Sequence, residues 1–355
     1  MTDDLRVALL GYGLAGRVFH RPLIAATPGL RLTTVVSADP TRTAQAKADT
    51  AGIRVVPDTE TLFAGRLDVD LVVVASANAA HVAQARLAIE HRLPVVVDKP
   101  MAPDAPTARD LADRAEAAGV PLITFHNRRW DGDLLTVAAL LRDDRLGRVH
   151  RLESRFERWR PVPRDTWREN GPPEALPGVL FDLAPHLVDQ AQVLLGPVTS
   201  VYAEARTVRP GSRAHDDAFL ALTHRSGAVS HLWCSAAAAA QGPRFRVLGD
   251  SGGYLKYGLD HQEQQLRTGA DPAAPGWGIE PPETWGRLLP GAGGDGVPVP
   301  TAAGAWPQFY AAVERCVRHN GANPVPPQDV IATTAVIDAA RASAASGGVV
   351  SVATG

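Results

Sequence analysis

Lysine is scarce in this sequence. Of its 355 residues, 36 are lysine or arginine, and only Lys47, Lys99 and Lys256 are lysine, so 33 of these cations are arginine. Arginine keeps its proton in proteins, whereas a buried lysine can lose it. Chemistry that needs an amine side chain is therefore confined to three positions.

Cysteine and long apolar runs are also lacking. Cys234 and Cys316 are the only cysteines, and two thiols supply neither a disulfide framework nor a zinc-type spacing. No apolar run approaches the roughly 18 residues of a membrane helix. The run 5–10 is too short, and its flank too acidic, for a signal peptide. We expect a soluble, reduced, cytoplasmic protein with no membrane partner.

Neither sign of charge is in excess. The net charge of −2 gives no electrostatic reason to expect a nucleic-acid partner. The hydrophobic fraction of 45% and the charged fraction of 21% are ordinary for a globular protein. The length allows two domains.

A glycine-rich motif follows the first apolar run. Residues 11–16 read Gly-Tyr-Gly-Leu-Ala-Gly, which fits G-x-G-x-x-G between a strand and a helix. The glycines allow a tight turn, and the helix N-terminus that follows favours a pyrophosphate. The sequence predicts dinucleotide binding, with a merely structural turn as the alternative. The predicted contacts are Gly11, Tyr12, Gly13, Leu14, Ala15 and Gly16.

The end of the second predicted strand, 30–36, bears on which dinucleotide binds. An acid at this place takes the ribose hydroxyls of NAD, but here Ser37 and Ala38 follow the strand, and Asp39 comes later as a helix cap. Ser37 with Arg42 nearby suits a 2′-phosphate better. We therefore favour NADP over NAD, while a solvated helix position is the alternative for Arg42.

Strands and helices keep alternating to residue 126. The apolar strand 71–75 leads to Ser76 and Asn78, and His81 begins the next helix as a helix-terminus or cofactor-edge residue. This rhythm predicts an α/β domain of Rossmann type, with a doubly wound parallel sheet. We assign residues 1–126 to it, with 327–355 as a segment that could pack back on it.

One strand of this domain is followed directly by two ionisable residues. Residues 95–100 read Val-Val-Val-Asp-Lys-Pro, a buried strand that stops at proline. Open α/β sheets bind ligands at the carboxyl ends of their strands. Lys99 is therefore a candidate catalytic amine, with chance survival of a lysine as the alternative, and Asp98 is its neighbour.

The remaining residues, 127–326, are expected to form a second domain of α+β class. Short strands between residues 149 and 257 predict a large, mostly antiparallel sheet. The Pro- and Arg-rich loop 160–177 contains Trp167, and its composition favours a lid or pocket wall. The Gly- and Pro-rich stretch 268–300 is expected to be an extended surface loop.

A helix predicted over 179–195 carries polar groups on one face. Asp182, His186 and Asp189 stand at i, i+4 and i+7. Buried acids and histidines need partners or a chemical role, and a satisfied core histidine with solvated acids is the alternative. A metal is not expected, because the set lacks further convergent ligands.

Together these motifs resemble the Gfo/Idh/MocA superfamily of oxidoreductases. The resemblance rests on GYGLAG at Gly11, VVVDKP ending at Pro100 and GVLFDLAPHLVDQ over 178–190. It extends over nearly the whole chain and is most similar to the NADP-dependent scyllo-inositol dehydrogenase group. The sequence departs from the family pattern at Asp98, where glutamate is commoner. It departs again at Leu176-Pro177-Gly178, where a glycine cluster is common, and at Ala184, where glycine is frequent.

The resemblance implies reversible hydride transfer between a nicotinamide and a secondary alcohol of an inositol-like polyol or sugar. It implies that Lys99, Asp182 and His186 are catalytic. It also implies that the domain 127–326 serves substrate binding and oligomerisation, and that the protein is a homodimer or homotetramer. Arg129, Trp130 and Trp167 are expected to contact substrate beside those three. The alternatives are an aldose, sugar acid or imine substrate, or a non-catalytic NADP-sensing regulator.

Overall fold

The computed structural model describes residues 4–65, 68–291 and 294–353. The chain divides into two compact units. The first comprises residues 1–127, 262–277 and 305–330, and the second comprises 128–261, 278–304 and 331–355.

The described residues form strands and helices that alternate along the first part of the chain. The strands are β1 Leu5–Leu10, β2 Leu30–Val36, β3 Arg54–Val56, β4 Leu71–Val74, β5 Val95–Val97, β6 Leu122–Thr124, β7 Val149–Glu157, β8 Val198–Arg206, β9 Asp217–His224, β10 Val229–Ser235, β11 Phe245–Gly249, β12 Gly252–Lys256, β13 Gly286–Pro290, β14 Val297–Val299 and β15 Val350–Ser351. The helices are α1 Arg21–Ala25, α2 Pro40–Asp49, α3 Thr59–Ala64, α4 His81–Glu90, α5 Ala105–Ala118, α6 Gly132–Arg142, α7 Trp167–Asn170, α8 Val179–Asp182, α9 Ala184–Leu195, α10 Gln262–Arg267, α11 Pro307–His319 and α12 Pro327–Ser346. A π-helical segment, Ala15–His20, precedes α1.

The first unit is built around a parallel sheet. In the described residues its strand order is β3-β2-β1-β4-β5-β6, and every pairing is parallel. The central strands β4 and β5 are fully buried, as expected when helices cover both faces of a sheet. The predicted Rossmann fold is confirmed. The order reverses between β1 and β4, which is where such sheets bind their ligands.

The second unit contains a larger sheet. Its order in the described residues is β14-β13-β12-β11-β7-β10-β9-β8-β15. The β7–β10 pair is parallel and the other pairs are antiparallel. Burial alternates along β9 and β10, so one face of these strands packs on the core. That core includes apolar residues of α9 and α12, and the predicted mostly antiparallel sheet is confirmed.

Two segments differ from the sequence-based expectation. The helix expected over 179–195 is broken at Leu183 into α8 and α9, because Pro185 lacks the N–H that would continue it. The loop expected over 268–300 contains β13 and β14, and Pro298 is accommodated in β14 at the sheet edge. Residues 292 and 293 of that stretch lie outside the described residues.

The ends of the domains also differ from the expected boundaries. Residues 305–330 group with the first unit, and 331–355 group with the second. The reason is that Val336 and Ile337 of α12 join the core of the second unit, while β15 pairs with β8.

Candidate functional site

The glycine motif of the first unit lies directly after β1, at the point where the strand order reverses. Gly11 has a positive φ of 96°, and a Cβ atom there would lie 2.9 Å from the Ala75 carbonyl oxygen. A Cβ on Gly16 would lie 2.1 Å from the Gly11 carbonyl oxygen. Both positions therefore require glycine, because the backbone is packed too closely for any side chain.

Gly13 differs from the two flanking glycines. A Cβ atom on Gly13 would meet nothing closer than the Arg42 guanidinium carbon, at 4.0 Å. The backbone is thus exposed on this side of the loop, next to a cation. A cradle of this kind fits a pyrophosphate at a helix N-terminus. The other cofactor contacts predicted for this loop and for the neighbouring strand end are Leu14, Ala15, Ser37 and Ala38. Leu14 is 43% exposed, whereas Ala15 is buried.

The side chain of Tyr12 serves the packing of this loop. It is buried, and its hydroxyl donates to Asp49 Oδ2 at 3.0 Å. Arg17 donates to the same carboxylate at 2.7 Å. Burial and the Asp49 carboxylate raise the pKa of Tyr12, so the phenol stays neutral. If Tyr12 contacts the cofactor as predicted, it does so through its backbone atoms.

At the end of β2, Asp39 caps helix α2. Its Oδ1 accepts from the backbone N–H groups of Thr41 at 2.8 Å and Arg42 at 3.1 Å, as predicted for an N-cap. Its Oδ2 lies 3.7 Å from Arg42 Nε. Because the Asp39 carboxylate is hydrogen-bonded to the first N–H groups of α2, the exposed guanidinium of Arg42 supplies the positive charge at the end of β2.

At the end of β4, the Ser76 hydroxyl donates to Gln84 at 2.7 Å, and Asn78 opens a short 3-10 turn. His81 is buried, with Nδ1 2.8 Å from the Pro100 carbonyl oxygen and Nε2 3.2 Å from that of Ser76. Burial lowers the pKa of His81. The ring thus links the turns after β4 and β5, a structural contact in addition to the predicted cofactor-edge role.

The turn after β5 carries Asp98 and Lys99. Asp98 is buried, and its Oδ1 accepts from the Lys99 backbone N–H at 2.7 Å. Burial by itself raises the pKa of Asp98. The interaction with His20 and the nearby charges of Lys99 and His81 outweigh that effect and lower the pKa to about 2. Lys99 therefore follows an ionised carboxylate at the carboxyl end of a buried strand, as the sequence predicted.

Two residues near Asp98 were not predicted from the sequence. His20 and Tyr310 are both 0% exposed, and His20 Nδ1 lies 2.6 Å from the Tyr310 hydroxyl. His20 Nε2 lies 3.9 Å from Asp98 Oδ2. Tyr310 is on α11, far along the chain, so no local pattern could have joined it to His20. The histidine four residues after the end of the glycine motif was the available signal.

In the second unit, the break at Leu183 separates two predicted catalytic residues. Asp182 ends α8, and His186 lies in the first turn of α9. His186 is 7% exposed, and its ring is stacked on Phe156 with centroids 6.5 Å apart. Asp182 Oδ1 lies 3.9 Å from Arg168 Nε, and both side chains are partly exposed. The i, i+4 spacing in one continuous helix does not describe this pair.

The loop before α8 is held by a buried cation. Arg209 donates to Asp216 at 2.9 Å, to Glu169 of α7 at 3.0 Å and to the Arg160 carbonyl at 2.9 Å. This anchoring fixes α7, in which the Arg168 guanidinium lies 4.3 Å from the Trp167 ring centroid. The loop therefore presents an aromatic face with a cation next to Asp182.

Arg129, a predicted substrate contact, has a partner within its own unit. Its Nε lies 2.9 Å from Asp189 Oδ2, and its terminal nitrogen lies 2.6 Å from Oδ1. Asp189 is 2% exposed, so this two-pronged pair is largely desolvated. Trp130 closes the 3-10 turn that also contains Arg129. The guanidinium of Arg129 thus forms a structural ion pair with Asp189, and its role in substrate binding remains a prediction.

Metal sites and membrane spans are absent from the part of the chain that the structure describes. No group of three or more His, Cys, Asp or Glu side chains there is arranged to hold a metal ion. No described helix has the length and apolar character to cross a membrane.

Comparison with known proteins places these features in a family. A model of the oxidoreductase family with an NAD-binding Rossmann fold matches residues 5–126, and a model of the GFO/IDH/MocA C-terminal domain matches residues 134–255. The uncharacterized oxidoreductase YdgJ of Escherichia coli K12 is 39% identical over 340 residues, which cover 95% of this chain and 96% of YdgJ. The chain belongs to the Gfo/Idh/MocA family of oxidoreductases.

Two more Gfo/Idh/MocA comparisons cover the whole length. The scyllo-inositol 2-dehydrogenase (NADP(+)) IolW of Bacillus subtilis 168 is 30% identical, with 96% of this chain and 94% of IolW aligned. The solved structure of yvaA from Bacillus subtilis has a TM-score of 0.93 at 29% identity and covers 99% of both chains. The resemblance inferred from three motifs is confirmed, and this Gfo/Idh/MocA member is an NAD(P)-binding oxidoreductase.

Proposed function

We propose that this chain oxidises and reduces a secondary alcohol of an inositol-like polyol or sugar, with NADP as the hydride partner. The observation that carries the proposal is the turn after β5, where Lys99 follows a buried carboxylate at the ligand-binding edge of a Rossmann sheet. Similarity to the NADP-dependent IolW over the whole chain supports the substrate class.

The residues of the first unit fit the dinucleotide. The open backbone at Gly13 suits the pyrophosphate, and the exposed Arg42, 4.0 Å from the place of a Gly13 Cβ, suits a 2′-phosphate. Arginine pairs with phosphate through a planar fork of donors. Ser37 in place of an acid removes the group that would take the ribose hydroxyls of NAD.

When bound, the nicotinamide supplies the hydride acceptor or donor. We assign His186 to take the hydroxyl proton as general base and to return it in the reverse direction. Asp182 balances the charge on that imidazole. We assign Lys99 to donate a hydrogen bond to the reacting oxygen of the substrate and to stabilise the charge that develops on it.

The loop residues are proposed to recognise the substrate. Trp167 offers an apolar face on which a sugar ring can stack, and the edges of polyols take hydrogen bonds from arginines. Arg168 lies over that same ring and is partly exposed. This cation favours a second candidate, a sugar acid whose carboxylate it would bind.

The test is a substrate panel read by the absorbance of the reduced nicotinamide. Purified protein is mixed with NADP+ or NAD+ and with inositols, aldoses or sugar acids. We expect turnover of an inositol or sugar with NADP+, and a preference for sugar acids would favour the second candidate. Tight cofactor binding without turnover of any compound would instead support a cofactor-sensing regulator. Mass spectrometry of co-purified cofactor tests the NADP assignment separately.

A further inference from the structure

A buried chain of polar groups runs from α11 to the turn after β5 in the first unit. It begins at the Tyr310 hydroxyl, which lies 2.6 Å from His20 Nδ1, and continues from His20 Nε2 to Asp98 Oδ2 at 3.9 Å. It ends where Asp98 Oδ1 accepts from the Lys99 backbone N–H at 2.7 Å. We name Tyr310, His20 and Asp98 the relay.

The surroundings of the relay are aromatic. The Phe125 ring centroid lies 4.2 Å from that of His20, and Phe309 lies 4.9 Å from Phe125. Polar groups held among apolar rings cost free energy unless they serve one another or a reaction. Phenylalanine at positions 20 and 310 would fill the same space without the free-energy cost of burying polar atoms.

The geometry gives each member of the relay a distinct task. The Tyr310 phenol fixes the orientation of the imidazole, as an orienting third group does for a catalytic base. Burial raises the pKa of Tyr310, as does the negative charge of Asp98, so the phenol stays neutral. The imidazole then directs Nε2 toward the carboxylate at ion-pair distance. Because the same carboxylate holds the Lys99 N–H, its position sets where the lysine side chain begins.

The side-chain length at position 98 suits this arrangement. His20 Nε2 has no hydrogen-bond partner in the described part of the chain. It acts on Asp98 across 3.9 Å rather than through a short bond. Glutamate would extend the carboxylate by about one carbon–carbon bond, roughly 1.5 Å, and would close this gap at the expense of the contact with Lys99.

We propose that His20 and Tyr310 are positioning residues for hydride transfer, and that they act on Lys99 through Asp98. This rests on the proposed function, because Lys99 is the group whose placement they control. The charged or titratable groups around Asp98 are His20, Lys99, His81 and Tyr310. Removal of His20 takes away the largest of the interactions that lower the pKa of Asp98, so the carboxylate would take up a proton at a higher pH.

The test is a double-mutant cycle with Tyr310→Phe and Asp98→Asn. Tyr310→Phe deletes one oxygen and keeps the ring, so the fold is preserved. In the otherwise unchanged enzyme we expect kcat at saturating cofactor and substrate to fall about fivefold, because misplacement of a reacting group slows chemistry. In the Asp98→Asn background the same substitution should have less than a twofold effect. Equal losses in both backgrounds would overturn the relay.

Substitutions of His20 supply the second measurement. His20→Phe should lower kcat about tenfold, and it should reduce the stability that is lost between about pH 4 and pH 2 in urea unfolding. His20→Gln, whose amide can stand near the place of Nε2, should recover most of kcat at neutral pH. An unchanged acid-dependent loss of stability in the Phe variant, or no recovery of kcat by Gln, would argue against positioning through Asp98.

Matched controls come from the second unit. His224→Gln alters a buried histidine with two hydrogen bonds, to the Gly196 carbonyl at 2.7 Å and to Ser230 at 2.7 Å. Tyr254→Phe removes a buried hydroxyl. Both should leave kcat and the acid-dependent loss of stability unchanged, and a change as large as that of His20→Phe would contradict the proposal.

Thermal unfolding separates failure of the relay from failure of the proposed function. The melting temperatures of the same cycle should be non-additive whether or not a substrate is found. If the wild-type enzyme is inactive but the melting temperatures are non-additive, the proposed function and the role of the relay in turnover are wrong. The interaction between Tyr310, His20 and Asp98 is then still supported. Additive melting would defeat the relay itself.

Discussion

Lys99 and Lys256 occupy opposite environments in this arginine-rich chain. Lys256 is 1% exposed, and its ammonium contacts Glu280 at 2.9 Å and the carbonyl oxygens of Tyr257 and Thr284, each at 2.9 Å. All three ammonium protons therefore have acceptors. Lys99 is less buried and lies at a strand end where ligands bind.

Under the proposed function, burial alone does not identify the catalytic lysine. Lys256 is the more buried of the two, yet its hydrogen-bonding capacity is used inside the second unit, which indicates a structural role. Lys99 is placed by its backbone, through Asp98, and its side chain starts at the ligand-binding edge. We infer that a position at the carboxyl ends of the strands is the stronger criterion, and substitutions of the two lysines test this inference.

Substitution of Lys99 by methionine should have the largest effect. Methionine keeps the length and apolar stem but removes the donor to the substrate oxygen. We expect kcat to fall about a thousandfold, while NADP affinity, measured by fluorescence titration, and the melting temperature change little. Turnover within tenfold of the wild type would show that Lys99 is not catalytic and would remove the basis of the comparison.

Substitution of Lys256 by methionine should act on stability instead. It leaves the Glu280 carboxylate buried without its cation, which destabilises a protein by about 3 kcal/mol. Urea unfolding measures this change, and kcat per folded molecule should stay at the wild-type value. Lys256→Met/Glu280→Leu serves as the control, because removal of both charges should recover most of the stability. A fall in kcat with unchanged stability would reverse the assignment.

Sequence patterns were sufficient for the parts of this molecule that depend on neighbours along the chain. Burial of whole strands such as β5, the capping of α2 by Asp39 and the glycine loop are local, and each was predicted. The alternation of apolar and polar residues likewise located the strands of the second sheet, from β7 to β12, within a few residues.

Long-range packing accounts for what the sequence did not reveal. His20 and Tyr310 meet only because α11 groups with the first unit. Asp189 was predicted to share one face with Asp182 and His186, but it pairs with Arg129, some sixty residues earlier in the chain. The strands β13 and β14 were hidden because glycine and proline, which usually mark loops, are also tolerated at sheet edges.

The charge of Asp98 should make a pH-dependent contribution to stability. Its pKa in the folded protein is about 2, below the value of about 3.9 for an unfolded aspartate. The contribution is therefore fully present above about pH 4 and is lost as the pH falls toward 2, and it amounts to about 2 kcal/mol. Urea unfolding of wild type and Asp98→Asn should differ by this amount at neutral pH.

The difference between these two proteins should shrink in acid, because the wild-type carboxylate then becomes neutral like the amide. A gap that stays constant down to about pH 3, the range in which linkage predicts the loss, would show that packing rather than charge distinguishes them. Lys99 would then depend on the shape of residue 98 and not on its ionisation, which sharpens the contrast with the charge-paired Lys256.

Arg42 extends the comparison to an exposed cation and should give the smallest effect. Unlike the lysines, it is solvated, and its one observed ion pair, with Asp39, spans 3.7 Å, so its substitution by alanine should leave stability nearly unchanged. A lost charged hydrogen bond to a 2′-phosphate should raise the KM for NADP+ about tenfold without changing the KM for NAD+ or kcat. Steady-state kinetics with both cofactors measure this, and Arg31→Ala, an exposed arginine on β2, is the matched control. Equal changes for NADP+ and NAD+ would mean that Arg42 supports the loop at Gly13 and does not bind the 2′-phosphate. An exposed cation at the end of β2 would then have a structural role, as the buried Lys256 has.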